Sequence, residues 1–423
     1  VARIAGNLNF DFNARYHLKT EEFSVTALFK ETDLAPYFRL AGRNGMSGTI
    51  TGKLEANGSA DAPEKIRAST DLSRLAIFME DTELLRAREF QASYEAGRIL
   101  LPENRLLLLK EGYLDLQGSG SLDGGLSLAA QGNIPVQVAE PFAKDLSGLT
   151  GNIGLSARMT GSLETPNIEA DISIQQVGMT VPELMQKLHD LNGRIRITQE
   201  ALTLEDIEGK LDDGRFRLDG NIALENFQPG RAQVEFSART LPVQVPDTLN
   251  LLLNTDLRLE GTPDRSRLSG EVVLLDGLYY KEVKLNLLQE IGDIGQRTRR
   301  ASPPREAEPV EAPYLENLAL DIAVRYRNPL MVDNNVALLS LKPALRIQGT
   351  LSRPRMSGRA EIADGTLSYQ NTEFDVQKGV VDFLNPYRIE PTLDVSAVSE
   401  VRNWTITLHV SGTPDNLNFK LSS

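Results

Sequence analysis

Enzymatic chemistry needs nucleophiles, acids and bases, or metal ligands gathered in one place, and this chain offers few. It holds three histidines, His17, His189 and His409, each in a different kind of segment, and no cysteine. The lack of cysteine excludes disulfides, thiolate metal sites and thiol nucleophiles. No H-E-x-x-H run or paired histidine spacing marks a metal centre. The run GSGSLDGG from Gly118 is small-residue turn sequence without the strand, elbow and helix of a serine hydrolase. Phosphate-loop and dinucleotide fingerprints are missing as well. Carboxylates such as Asp212, Asp213, Asp264 and Asp364 fall on the polar phase of strands or at turns. Paired carboxylates for glycoside cleavage remain compatible with that distribution, so a polysaccharide-processing parallel β-helix is the enzymatic alternative. The repeat described below is too long for one β-helix coil of twenty-odd residues, and no calcium-binding nonapeptide occurs. The expectation is a protein that is not an enzyme and carries no cofactor or metal.

Charge narrows the partners. A net charge of −13 and a pI near 5.0 argue against nucleic acid and against a polybasic hold on an anionic membrane. Of the 423 residues 41% are apolar, enough for a core, yet only 6% are aromatic, so that core is not built from large rings. No run of about eighteen apolar residues is present to cross a bilayer as a helix, and no signal peptide is visible. Val1 opens inside patterned sequence, VARIAGNLNFDFNARYHL. The expectation is a piece of a longer chain whose membrane anchor is absent here. The absence of cysteine fits the bacterial periplasm, where stray thiols are oxidised.

The elements that would position any site are strands. Leu393, Val395 and Ala397 alternate with Asp394 and Ser396, and Ile406, Leu408 and Val410 alternate with Thr405, Thr407 and His409. Leu417, Phe419 and Leu421 close the chain in the same way. Strand side chains alternate faces with period two, so each run is a strand with one apolar and one wet face. Glycine and proline punctuate the runs at Gly365, Gly379, Pro386, Pro391, Gly412 and Pro414. A loose repeat underlies them. Gly58, Gly161, Gly261, Gly349 and Gly412 each precede Thr or Ser, at separations of 103, 100, 88 and 63 residues. These read as hairpin turns, because glycine permits positive φ and a nearby Pro or Asp fixes the bend. IPVQV at Ile134 and LPVQV at Leu241 form a second marker and read as turns, as do the serine-glycine pairs. Loose units of about 1–145, 146–245, 246–345 and 346–423 follow, within one continuous repeat-like array. Helical candidates are Val181–Leu191, with Pro at its start, and the shorter Ala139–Leu146 and Val245–Leu253. Residues 296–312, QRTRRASPPREAEPVEA, are charged and Pro-rich and read as a flexible loop, with Leu285–Ile294 as a helical base.

The closing run, FDVQKGVVDF from Phe374, then PTLDVSA, then EVRNWTITLHVSGTPDNLNFKLSS, resembles the C-terminal region of the TamB family, among AsmA-like and bridge-like lipid-transfer proteins. Upstream serine-glycine and Gly-Thr/Ser units resemble it more diffusely, back to about Met46. The resemblance implies an all-β fold in which a long antiparallel sheet curls into an open, elongated groove (a β-taco), with an apolar interior and a few short helices. It implies the periplasm of a Gram-negative-type bacterium, with inner-membrane attachment in the full-length protein. It also implies phospholipid transport between inner and outer membranes and a link to outer-membrane biogenesis. The partner it implies is an outer-membrane assembly-type barrel (TamA-like) at the C-terminal end, met through Leu417, Phe419 and Leu421.

Residue patterning alone reaches a compatible point. A sheet with one apolar face must cover it, and a barrel, a sandwich or lipid would each serve. At about 0.8 kcal/mol per methylene, some thirty methylenes gain on the order of 20 kcal/mol, much as in a bilayer. Movement along such a face is therefore nearly isoenergetic. About thirty strands spaced about 4.8 Å apart would make a trough on the order of 140 Å. The expected lining is Ile195, Ile197, Phe216, Leu218, Val234, Phe236, Leu257, Leu259, Leu320, Ile322, Val324, Leu345, Ile347, Ile406, Leu408 and Val410, although ordinary core gives the same pattern. The alternative function is a periplasmic scaffold for outer-membrane barrel assembly or secretion, acting by C-terminal strand augmentation.

Overall fold

The computed structural model describes residues 9–423 except 60, 122–123, 143–146, 163–164, 182–185, 283–316, 386, 388, 402–403 and 414–415. The helical base at Leu285–Ile294 and the loop 296–312 lie outside the described residues. The described chain is all-β, with 25 strands, one α-helix and one 3-10 turn. No helix among the described residues is long and apolar enough to cross a membrane.

The chain divides into two compact units. The first holds residues 1–182, 187–209 and 224–227, and the second holds 183–186, 210–223 and 228–423. The strands of the first are β1 (Phe10–His17), β2 (Glu22–Asp33), β3 (Met46–Ser59), β4 (Ala62–Met79), β5 (Thr82–Ala87), β6 (Phe90–Glu95), β7 (Arg98–Leu108), β8 (Gly112–Ser121), β9 (Leu126–Pro135), β10 (Ser147–Gly161), β11 (Pro166–Val181), β12 (Gln186–Ile197, its first residue grouped with the second unit) and most of β13 (Ala201–Leu211). β1 to β4 form an antiparallel meander, and β4 then pairs with both β5 and β6. β7 to β11 continue antiparallel. The core of this unit is small-residue and aliphatic, with Ala27, Met46, Leu72, Ala76, Leu84 and Leu108 buried.

The second unit contains most of β14 (Gly214–Glu225), then β15 (Gln228–Val245), β16 (Leu249–Thr262), β17 (Arg265–Tyr279), β18 (Leu318–Tyr326), β19 (Leu330–Asp333), β20 (Ala337–Thr350), β21 (Pro354–Tyr369), β22 (Thr372–Phe383), β23 (Pro391–Val401), β24 (Trp404–Thr413) and β25 (Asn416–Ser422). The sheet is mixed, not wholly antiparallel. β17 runs parallel to β18 and to β19, and both of those run antiparallel to β20. No tight turn can join parallel neighbours, which need a connection of about a dozen residues or more. The 38 residues from 280 to 317 supply that length. From β20 to β25 the ladder is an antiparallel meander.

The recurring glycines sit where the sequence places them, at the last or next-to-last position of β3, β10, β16, β20 and β24. In the last four the glycine faces the residue five positions on: Gly161 opposite Pro166, Gly261 opposite Ser266, Gly349 opposite Pro354, Gly412 opposite Leu417. The reason is visible at Gly261 and Gly349, whose φ values are 133° and 91°. A Cβ at either would lie 2.3 or 2.5 Å from the carbonyl oxygen of Arg265 or Arg353. Only glycine fits this hairpin.

Other local readings need correction. Within Val181–Leu191, Val181 ends β11 and Gln186–Leu191 open β12, so these residues are strand and not helix, while 182–185 lie outside the described residues. Gln186 is fully buried. Its Nε2 donates to Asp212 Oδ2 and to the Pro242 carbonyl, each at 2.9 Å, and its Oε1 accepts from the Gln244 N–H at 3.3 Å. Those long-range bonds outweigh a helical spacing worth tenths of a kcal/mol per residue. Val245–Leu253 is likewise not helical: it is the end of β15, a turn at 246–248 and the start of β16, and LPVQV lies within β15 rather than in a turn. Ser269–Gly270 and Ser357–Gly358 fall mid-strand in β17 and β21, with φ of 145° and 118° at the glycines. Of Ala139–Leu146, the first four residues belong to a 3-10 turn, Val136–Phe142, and 143–146 lie outside the described residues. Sequence reading missed the α-helix, α1 (Ala35–Leu40). Its cue is Asp33, whose Oδ1 accepts the Ala35 N–H at 2.9 Å, with Pro36 in the first turn.

Candidate functional site

Direct cross-strand partners share a face of the sheet, so register reveals which apolar residues line up. In the second unit the ladders arrange them in three rows running across the strands. In one, Val234 faces Leu259, Leu259 faces Leu268, Leu268 faces Leu320, and Leu320 faces Gly349. In the next, Phe236, Leu257, Gly270, Ile322, Ile347 and Met356 follow one another in the same way. In the third, Thr255, Val272, Val324, Leu345, Gly358 and Phe383 do so. Nine of the sixteen expected lining residues therefore stand in register on one face. The Phe216 ring lies 6.0 Å from that of Phe236, which brings β14 alongside, and Leu218 shares the Phe216 face by alternation. Sequence reading passed over Leu268, Val272 and Met356. Their runs alternate too, and only register shows that they complete the rows.

Exposure separates the sixteen. Phe216, Leu218, Val234, Phe236, Leu257, Leu259, Val324, Leu345 and Ile347 are half-buried, while Leu320 and Ile322 are buried. Ile195 and Ile197 are half-buried on β12 of the first unit, alternating with Arg194 and Arg196. At the C-terminal end Leu408 is 0% exposed and Val410 is buried, with Ile406 half-buried beside them. Leu408 faces Ala397 on one side and Leu421 on the other; Val410 faces Val395 and Phe419. They belong to a core cluster drawn from β20 to β24, against which Phe383, Leu393, Leu417 and Phe419 pack. The rings of Tyr369 and Phe419 stack at 4.8 Å, although β21 and β25 are four strands apart. In a flat sheet those strands would lie about 19 Å apart. The sheet from β21 to β25 must therefore curl on itself. Of the expected partner residues, Leu417 and Phe419 are half-buried against this core and Leu421 is 48% exposed.

The opposite face is polar and tied by ion pairs. Arg346 meets Asp321 at 2.6 Å, Arg325 meets Glu271 at 2.7 Å, and Arg258 meets Glu235. Arg359 grips Asp382 with two parallel hydrogen bonds of 2.6 and 2.9 Å, which hold the carboxyl below the usual carboxylate range. In the first unit Arg105 holds Asp115 down in the same way. His17, His189 and His409 lie on β1, β12 and β24. His189 lies 3.3 Å from Asp190 and His409 3.7 Å from Asp394. Among the described residues no group of three or more His, Asp or Glu side chains could hold a metal.

A family model described as the TamB C-terminal domain matches residues 205–423, just over half of the chain. The chain belongs to the TamB family. The matched stretch includes all three apolar rows and the curled C-terminal core; the more diffuse resemblance upstream of residue 205 lies outside it. The chain is also similar to Protein TIC236, chloroplastic, of Arabidopsis thaliana, with 21% identity over 160 residues. That alignment takes in 37% of this chain and 7% of TIC236, so the chain spans a small part of that relative.

Proposed function

We propose that this TamB-family chain carries phospholipids between the inner and outer membranes of a Gram-negative-type envelope, their acyl chains lying against its apolar β-face. The observation that carries this reading is the register of the three rows. Apolar side chains from β15 to β21 stand opposite one another on one face, and most are half-buried. Such a surface offers hydrocarbon an environment close to a bilayer interior at each step, so a lipid advances without a deep well or barrier. No head-group pocket and no catalytic group is required, and the chain acts without cofactor and not as an enzyme. In this reading it works in the periplasm, held to the inner membrane by an anchor elsewhere in the full-length protein. Family membership supports the link to outer-membrane biogenesis.

The test is a charge on the wall. Leu345 is half-buried, so Leu345→Arg can turn its guanidinium to water and keep the fold while placing a cation across the third row. Expressed in the full-length protein, it should stop phospholipid flow between the membranes; undiminished flow would count against the reading. Leu408 is unsuitable for this purpose, since an Arg at a fully buried site breaks the core itself.

A second reading, a scaffold for barrel-protein assembly or secretion, draws on β25. This last strand pairs with β24, and a TamA-like barrel would add a strand at its other edge. Leu421 and the backbone would make that contact, since Leu417 and Phe419 are engaged with the core. Deleting 413–423 should then abolish function while Leu345→Arg is harmless.

A further inference from the structure

The short connection between β22 and β23 exposes three large apolar side chains. Within residues 384–390, Leu384 is 74% exposed, Tyr387 86% and Ile389 47%. Single apolar side chains on a surface are ordinary, whereas several gathered on one loop form a patch that suits an apolar partner. The loop has internal order. Asn385 Oδ1 accepts the Tyr387 N–H at 3.0 Å, and Asn385 Nδ2 donates to Glu390 Oε2 at 2.7 Å, a pair of bonds that pins the turn. The turn between β20 and β21 lies at the same end of the strands and presents Leu351, 44% exposed.

The loop also continues the apolar face. Phe383 ends the third row, opposite Gly358, and packs against the C-terminal core; Leu384 follows it directly. The apolar face therefore adjoins the loop at Phe383. We propose that Leu384, Tyr387 and Ile389 insert into the interface of a lipid bilayer, with Leu384 and Ile389 among the upper acyl chains and the Tyr387 hydroxyl at head-group level. The chain's net charge of −13 gives no attraction to anionic lipid, so insertion is apolar and suits zwitterionic bilayers. The choice of a bilayer as partner rests on the conduit reading, since a lipid path needs an entrance or exit at a membrane.

Trp404 is the chain's single tryptophan and lies on β24, outside the loop. The test therefore uses Tyr387→Trp in a Trp404→Phe background, mixed with phosphatidylcholine vesicles. Insertion predicts a blue shift of the emission and quenching by brominated acyl chains. Adding Leu384→Ser and Ile389→Ser, both at exposed sites, should lower vesicle partitioning at least about tenfold. Emission unchanged by vesicles, or partitioning that the two serines leave intact, would overturn the proposal. Phospholipid carried through purification reports on the conduit separately, and these loop variants should leave it unchanged.

Discussion

At the residue scale, Asp382 reports on how the polar face is fastened. Its carboxyl sits below the usual range because Arg359 grips both oxygens. A depressed carboxyl pKa means that the native state binds the proton less readily than the unfolded chain. The stabilisation is therefore complete above the unfolded value of about 4 and is lost as pH falls through the lower, folded value. Acid unfolding followed by circular dichroism should show wild type losing this contribution below about pH 4. Asp382→Asn should be less stable at pH 7 and show a shallower acid limb. Gly261 makes a different point. With φ at 133° and the Arg265 carbonyl 2.3 Å from any Cβ, Gly261→Ala must move the turn. It should cost upwards of about 1 kcal/mol in denaturant unfolding, where alanine at an ordinary strand position stabilises or is neutral. Leu408→Ala empties a fully buried site and should cost about 2–5 kcal/mol.

At the element scale, strands were the legible part of the sequence and their neighbours were not. Runs such as Ile406, Leu408 and Val410 announce a strand because period two is a local property, and the hairpin glycines announce turns because their φ is local too. β12 misleads for the converse reason. Gln186–Leu191 carries helical spacing, but Asp212, Pro242 and Gln244, distant in sequence, hold its first residue in place. The parallel contact of β17 with β18 was equally invisible, since nothing within either strand says which lies beside it. The lining residues divide along the same boundary. Alternation names Leu345 and Leu408 alike, and only the curl that brings Phe419 onto Tyr369 makes one half-open and the other core. Gln186→Leu tests the reading of β12. It should destabilise by about 1–3 kcal/mol, because the Asp212 carboxylate and Pro242 carbonyl lose a buried donor. A neutral result would mean that the ladder alone sets this strand.

At the scale of the whole molecule, the proposed lipid carriage depends on hydrocarbon occupying the apolar rows. Their half-buried state is what a sheet face looks like when neighbouring side chains shield it only in part, and such a face gains by taking up acyl chains. The curled core from β20 to β25 has no such capacity, since Leu408, Val395 and Ala397 already fill it. Lipid is therefore expected against β15 to β21 and not beside β24. The most direct measurement is native mass spectrometry of the purified chain and of Leu345→Arg, with folding of both checked by circular dichroism. Lipid carriage along the rows predicts phospholipid-sized adducts on the wild-type chain that are lost or sharply reduced in the variant. A folded wild-type chain free of lipid, or equal adducts on both proteins, would contradict it.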